Sequence, residues 1–133
     1  MITAKLNDYR QSPRKVRLVT DLVKGKSVEN AINALTILEK RAADPLKQLI
    51  ESAVANAKNN FSLERDVLFV KDFRVDAGPI MYRRMPRARG TAYPIRKRTS
   101  CVSLVLAAKE LAAVKKPVAK IAKEAKVKKV AKK

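Results

Sequence analysis

Residues 78–100 read GPIMYRRMPRARGTAYPIRKRTS and carry seven basic side chains and no acidic one. The segment also contains three of the six prolines and two of the three glycines of the chain. Apolar and β-branched residues flank it at 66–77 and 99–107, which indicates a strand on each side. Because strands that follow one another along a chain usually pair, we predict a β-hairpin whose outer part, residues 78–100, is a basic finger.

The length of the finger indicates that it needs a binding partner to be ordered. If each arm has about ten residues at about 3.3 Å per residue, the finger projects about 30 Å from the body. Loops this long are uncommon in compact domains unless they have a function. A projecting finger has little contact with itself, so we expect a surrounding polyanion to neutralise and order it.

The net charge of the chain, +19 in 133 residues, is unevenly distributed. Residues 1–26 have a net charge of +5, residues 27–77 of −1, residues 78–108 of +7 and residues 109–133 of +8. Such an excess predicts a polyanionic partner, either nucleic acid or an anionic membrane surface. Six of the seven basic residues in the finger are Arg, whose planar fork bonds phosphate oxygens in fixed geometry, whereas all ten in the C-terminal block are Lys. We therefore expect close contacts from the finger and diffuse attraction from the tail.

The first helix is predicted over residues 13–23. Ser12 and Pro13 are typical of a helix start, and Gly25 is typical of the residue that follows a helix end. Three cations occupy the beginning of this helix, where the positive end of the helix dipole disfavours them. A bound phosphate would remove that conflict, so these residues are candidate phosphate ligands: Arg14, Lys15 and Arg17.

The other elements follow from apolar spacing. We predict a short strand at residues 2–10, a helix over 28–39 after Ser27, and a long helix that starts at Asp44-Pro45, or earlier near Arg41, and ends at Asn59-Asn60. In the strand at 66–77, one face is predicted to carry Val67, Phe69, Phe73 and Val75, with Lys71 as the exception. Asp66, Asp72 and Asp76 are expected on the solvent face of this strand rather than around a metal ion. Residues 109–133, rich in Lys and Ala, are predicted to be disordered or weakly helical when free.

Several classes of function are disfavoured. The chain has no His, which removes Ser/His/Asp and Cys/His catalysis, and its three glycines form no phosphate-binding loop motif. Cys101 is the single cysteine, so neither a metal-type cysteine spacing nor an intramolecular disulfide is possible, and it is expected to be a small buried strand residue. No secretory signal is visible, and the longest apolar run, residues 104–108, is far shorter than the about 20 residues of a membrane helix. We expect no enzyme, no cofactor and no metal.

Three segments together resemble one known family. They are SPRKVRLVTDLVKGK at 12–26, IESAVANAKNN at 50–60, and GP, PRARG and RKRTS within 78–100. In order and spacing, over about residues 2–108, they look like the ribosomal protein L-twenty-two family, bacterial type. The resemblance implies an α+β fold with three helices packed on a small three-stranded antiparallel sheet, a long protruding β-hairpin and a basic C-terminal tail. The expected domains are a globular RNA-binding domain at 1–108 and the tail at 109–133.

The same resemblance implies the function and partners. It predicts a structural constituent of the large ribosomal subunit, in the cytoplasm, that binds 23S rRNA in several domains and helps early subunit assembly. Neighbouring ribosomal proteins and the nascent polypeptide are further expected partners, since the family's hairpin lines the peptide exit tunnel. No membrane contact and no self-oligomer are expected.

Site residues transfer to the matching positions of this chain. The resemblance places on rRNA Arg10, Ser12, Arg14, Lys15, Arg17, Lys24, Lys26, Arg83, Arg84, Arg96, Lys97, Arg98 and Thr99. It also implies that the tip of the hairpin, which lines the tunnel, consists of Arg87, Ala88, Arg89, Gly90, Thr91 and Ala92. Gly90 would permit the chain reversal there. Tyr82 and Tyr93 could stack on bases or shield the stems of Arg side chains, and both alternatives stay open.

Two other functions compete with this interpretation. A DNA-compacting protein could use the Lys-rich tail, although it would not need an Arg-rich finger fixed between strands. A membrane-surface peptide would need large apolar residues opposite the lysines, where the tail has only Val, Ala and Ile. Preferential binding to duplex DNA over rRNA would support the first of these.

Overall fold

The computed structural model describes residues 2–108. The strand β1 spans Ile2–Tyr9, and three helices follow: α1 over Pro13–Val23, α2 over Val28–Ile37 and α3 over Ala43–Phe61. Two long strands complete the domain, β2 over Leu68–Pro86 and β3 over Ala92–Ala108. Short 3₁₀ turns, Arg65–Val67 and Ala88–Gly90, precede each of them. The prediction for residues 109–133 lies outside the described residues.

The sheet is antiparallel, with strand order β1-β3-β2. The central strand β3 buries alternate residues, Val102, Leu104 and Leu106, while the residues between them are half-buried. Within residues 2–108, the helices therefore cover one face of the sheet, and no element packs on the other. The single core cluster joins this face to α1 through Val16, to α2 through Leu35 and to α3 through Leu46 and Ile50, among others. The predicted α+β class, three helices on a three-stranded antiparallel sheet, is confirmed.

The helices match the prediction with small differences. α1 has the predicted bounds, and Gly25 adopts the left-handed φ of +80° expected after a helix end. α2 ends at Ile37 rather than at residue 39, because Leu38 turns into an extended conformation and packs against the core. Ser12 and Ser27 are the N-cap residues of α1 and α2, as their positions in the sequence indicated, although neither side chain makes a capping hydrogen bond.

β2 corrects the predicted alternation. Its pairing with β3 is irregular between Val70 and Asp72, where Lys71 is the extra residue of a β-bulge. The bulge reverses the phase of the strand, so the buried residues are Leu68 and Val70 before it and Phe73 and Val75 after it. The prediction that Val67 and Phe69 share the inner face was therefore wrong. Asp66 lies in the 3₁₀ turn and not on the strand, whereas Asp72 and Asp76 do share the outer face.

The finger is paired along most of its length. Both predicted strands were too short. β2 continues beyond residue 77 to Pro86, and β3 begins before residue 99, at Ala92. The seven pairs from Ile80↔Arg98 to Pro86↔Ala92 extend about 23 Å at about 3.3 Å per residue. Both strands of this two-stranded ribbon are edge strands, and edge strands tolerate the three prolines that the finger contains. Residues 79–94 are all exposed, as expected of a projecting finger.

Candidate nucleic-acid interface

A groove of about 700 Å³ lies where the base of the finger meets the beginning of α1. β1 leads into it, since Tyr9 pairs with Ser100 and the next residues connect to the helix. Eight of the residues predicted to bind rRNA line it: Arg10, Ser12, Lys15, Arg83, Arg96, Lys97, Arg98 and Thr99. Residues about 85 positions apart in the sequence thus form one surface, which is why only the fold reveals the groove.

The groove is strongly basic. Eleven of the residues that the structure describes line it; seven of these are Arg or Lys, and none is Asp or Glu. The first turn of α1 adds no acidic side chain to offset them. Because like charges repel, a polyanion would stabilise such a surface, and phosphate groups match both its sign and the geometry of its Arg side chains.

Three groove residues were not predicted to bind RNA: Gln11, Arg41 and Met81. Arg41 is the important addition, since it comes from the loop before α3, in the part of the chain that is nearly neutral. Tyr9 holds this loop in place by donating its hydroxyl to the backbone carbonyl of Arg41 at 3.1 Å. Burial raises the pKa of the Tyr9 hydroxyl; the charge of Arg41 opposes this shift and that of Asp44 adds to it. No local sequence pattern indicates Arg41, because its role depends on the contact with Tyr9, 32 positions away.

Thr99 lines the groove, but its hydroxyl belongs to the junction of finger and body. It is 1% exposed and donates its hydroxyl to the carbonyl of Pro79 at 2.6 Å. The pairing is irregular here, between Ala77 and Ile80, so Gly78 and Pro79 form a second bulge opposite Thr99. A Cβ at Gly78 would lie 2.5 Å from Thr99 Oγ1, so any larger residue here requires the Thr99 side chain to shift.

Ser100 continues this junction into the body. It is fully buried, and its hydroxyl donates to the backbone carbonyl of Gln11 in a short hydrogen bond. The finger is thereby tied to the segment that leads into α1. Thr99 and Ser100 together fix the base of the finger, and so the relative positions of the basic side chains on both sides of the groove. Cys101, next along β3, is half-buried rather than buried as predicted.

Arg17 also has an internal role that the sequence did not indicate. Its Nε and one Nη both donate to the backbone carbonyl of Val75, at 3.1 and 2.9 Å. The fork therefore attaches α1 to β2. Arg14 and Arg17 are both exposed, and neither is among the groove-lining residues.

Lys24 and Lys26 lie at the other end of α1, away from the groove. α1 has 11 residues and is therefore about 16 Å long at about 1.5 Å per residue. The backbone of Lys26 pairs with Val70, at the end of β2 opposite the finger. Lys24 Nζ lies 2.6 Å from Asp72 Oδ1, and this hydrogen bond holds the pKa of the Asp72 carboxyl below its ordinary value.

The tip of the finger is a tight turn. The amide of Arg87 donates to the carbonyl of Thr91 at 2.9 Å, and the Thr91 hydroxyl donates to Ala88. Gly90 has a φ of +71°, as expected for the reversal, and Arg89 has a φ of +59°, which the sequence did not indicate. All six residues predicted to form the tip lie in this turn or directly beside it: Arg87, Ala88, Arg89, Gly90, Thr91 and Ala92.

The two finger tyrosines differ. The guanidinium carbon of Arg87 lies 5.8 Å from the centre of the Tyr93 ring, a cation–π distance. For Tyr93 this favours the alternative in which the ring covers an Arg side chain. Tyr82, 65% exposed and opposite Arg96 in the ribbon, has a free surface, and base stacking by it stays a prediction. Arg84 is exposed on the finger outside the groove.

Within residues 2–108, no three His, Cys, Asp or Glu side chains are close enough together to hold a metal ion. In the same range, none of the helices has the length and apolar character required to cross a membrane.

Comparison with known proteins identifies the family. A family model described as ribosomal protein L22p/L17e matches residues 4–107. The large ribosomal subunit protein uL22 of Mesoplasma florum is 50% identical over 103 residues, 77% of this chain and 92% of that protein. Proteins of the same description from Deinococcus radiodurans, 48% identical over 75% of each chain, and Myxococcus xanthus, 49% identical over 79% of this chain and 94% of that protein, also match. These relatives are structural ribosomal proteins and not enzymes. The resemblance found in the three motifs is thereby confirmed, and the chain belongs to the ribosomal protein L22p/L17e family.

Proposed function

We propose that this member of the family, a protein of the large ribosomal subunit, binds 23S rRNA through the basic groove and the finger. The observation that carries the proposal is the convergence of seven basic and no acidic side chains where the finger meets the body. Bound RNA would neutralise this repulsion, and counterion release would make the affinity strongly dependent on salt.

Some of these residues would contact rRNA directly, and others would hold the binding surface in shape. Arg10, Lys15, Arg41, Arg83, Arg96, Lys97 and Arg98 line the groove and contact phosphates. Arg84 and Arg14 are exposed beside it and extend the contact surface. Thr99 and Arg17 donate hydrogen bonds to backbone carbonyls of β2, Thr99 from a buried hydroxyl and Arg17 from an exposed side chain, and so help to shape the surface.

The finger gives the protein a reach that the body lacks. Its exposed, two-stranded form can enter between RNA elements that the body cannot approach, which would connect several rRNA domains and help early assembly. Its tip, stiffened by the turn at residues 87–91 and by the packing of Arg87 on Tyr93, would line the peptide exit tunnel. Neighbouring ribosomal proteins and the nascent chain complete the proposed partners.

Binding of transcribed 23S rRNA, followed across a salt titration, tests the proposal. Arg41→Gln, Arg83→Gln and Arg96→Gln, made one at a time, should each weaken binding about tenfold and reduce the steepness of the salt dependence by about one phosphate contact. Lys58→Gln removes the same charge from the exposed end of α3 and is the matched control, with an expected change within about twofold. Equal losses in the groove variants and the control would refute a specific groove. Tighter binding to duplex DNA of equal length than to rRNA would favour the DNA-compacting alternative.

A further inference from the structure

A second groove, of about 410 Å³, lies beside the basic one and differs from it in character. Its apolar wall is made by Leu18, Leu22 and Leu38, and its rim carries Lys15, Lys40 and Arg41. Leu18 is 67% exposed and Leu22 is 51% exposed, although both are large apolar side chains. Because they are four residues apart on α1, they lie on one face of the helix and form a continuous stripe. We call this surface the leucine groove.

RNA does not account for the leucine groove. Phosphates are served by cations and hydrogen-bond donors, and two exposed leucines offer neither. Within residues 2–108, three basic and no acidic residues line the groove, which disfavours a basic occupant. A second copy of this chain would bring another basic rim against this one. Residues 109–133 carry ten Lys and two Glu, so the chain's own tail would be repelled as well.

We propose that the leucine groove docks an amphipathic helix of another protein, with apolar side chains on one face and carboxylates along its edge. The apolar face would cover Leu18, Leu22 and Leu38, and a carboxylate would meet Lys40, the rim cation that does not also line the basic groove. This is the helix-in-groove mode of recognition, in which residues at helical spacing supply the anchors. Charge complementarity selects an acidic partner over a basic one. The inference extends the proposed function by placing a protein partner next to the RNA surface, since Lys15 and Arg41 line both grooves.

The test uses the full chain and a fluorescent 18-residue peptide with Leu at helical spacing on one face and Glu elsewhere. A second peptide of the same composition, with its leucines distributed around the helix, controls for simple charge attraction at about 0.3 M salt. The first peptide should bind at least about tenfold more tightly than the second. Leu18→Gln combined with Leu22→Gln should remove that preference, whereas Ile37→Gln, at an 81% exposed residue outside the groove, should keep it. Equal binding of the two peptides, or an unchanged preference in the double variant, would overturn the proposal.

Methyl NMR of leucine-labelled protein identifies the occupant directly. The amphipathic peptide should shift the methyl signals of Leu18 and Leu22, and an rRNA fragment should shift them little. The opposite result would assign the leucine groove to RNA and overturn the proposal. The double variant should also keep its affinity for 23S rRNA within about twofold, because its charges are intact. Loss of the peptide preference is therefore distinguishable from failure of RNA binding.

Discussion

Gly78 offers a sharp test of how the finger is attached to the body. In Gly78→Ala, the new Cβ would lie 2.5 Å from Thr99 Oγ1, closer than such atoms approach in real proteins, and 3.4 Å from Cys101 Sγ. Thr99 is 1% exposed, so its side chain cannot move into solvent. The contact can be relieved only if the hydroxyl turns away from the carbonyl of Pro79, which breaks the 2.6 Å hydrogen bond.

The loss of this hydrogen bond determines how much Gly78→Ala destabilises the fold. A net hydrogen bond contributes about 1 kcal/mol, and a buried polar group left without a partner costs about 1–3 kcal/mol. We therefore expect Gly78→Ala to lower the free energy of unfolding by about 2–3 kcal/mol. Thr99→Ala removes the atom that the new Cβ meets. In that background, Gly78→Ala should cost no more than about 0.5 kcal/mol, which gives a coupling energy of about 2 kcal/mol between the two sites.

Urea unfolding of the four proteins in this double-mutant cycle measures the coupling. Gly25→Ala is the matched control, because its φ of +80° strains an alanine but nothing lies within 4 Å of the new Cβ. Its cost should be the same with Thr99 or Ala at position 99. If Gly78→Ala destabilises both backgrounds equally, or changes the wild type by less than about 0.5 kcal/mol, the bulge does not depend on the contact between Gly78 and Thr99.

Two further substitutions test the supports of the interface. Arg17→Met should lower the free energy of unfolding by about 1–2 kcal/mol, because the carbonyl of Val75 loses both of its guanidinium donors; equal stability of Arg17→Met and wild type in urea would contradict a structural role. The lowered pKa of Asp72 means that its ion pair with Lys24 stabilises the fold above the unfolded pKa of about 3.9 and that this contribution disappears as pH falls through the folded pKa. Asp72→Asn should therefore be less stable than wild type near neutral pH and equally stable at low pH, and a difference that persists in acid would refute the assignment.

Local patterns in the sequence predicted the helices well. α1 has the predicted bounds because Pro13 and Gly25 act locally, on the backbone of their own segment. The phase of β2 could not be predicted in the same way. The bulge at Lys71 depends on how two strands pair, and a period-two pattern has no information about an extra residue on one strand. The sequence pattern also missed the extension of both strands through the finger. Backbone pairing there does not require apolar side chains, so no apolar alternation marks it.

The basic surface shows a similar division. A count of charges indicates which segments are basic, but not which cations are free to bind RNA. Arg17 and Thr99 match the family motif, yet both donate hydrogen bonds to backbone carbonyls of the protein itself. Arg41 stands in a nearly neutral region and reaches the groove through its contact with Tyr9. These roles depend on contacts between residues far apart in the chain, which only the fold supplies.

Sedimentation of cell lysate through a sucrose gradient tests the central claim most directly. At about 0.5 M salt, screening removes loosely adsorbed basic proteins, whereas a protein held by many fitted contacts stays bound. The chain should sediment with the large ribosomal subunit, and a variant that combines Arg41→Gln, Arg83→Gln and Arg96→Gln should be depleted from that fraction relative to Lys58→Gln. If the wild-type chain leaves the ribosome at this salt concentration and follows DNA instead, the account of an rRNA-binding groove and finger is wrong.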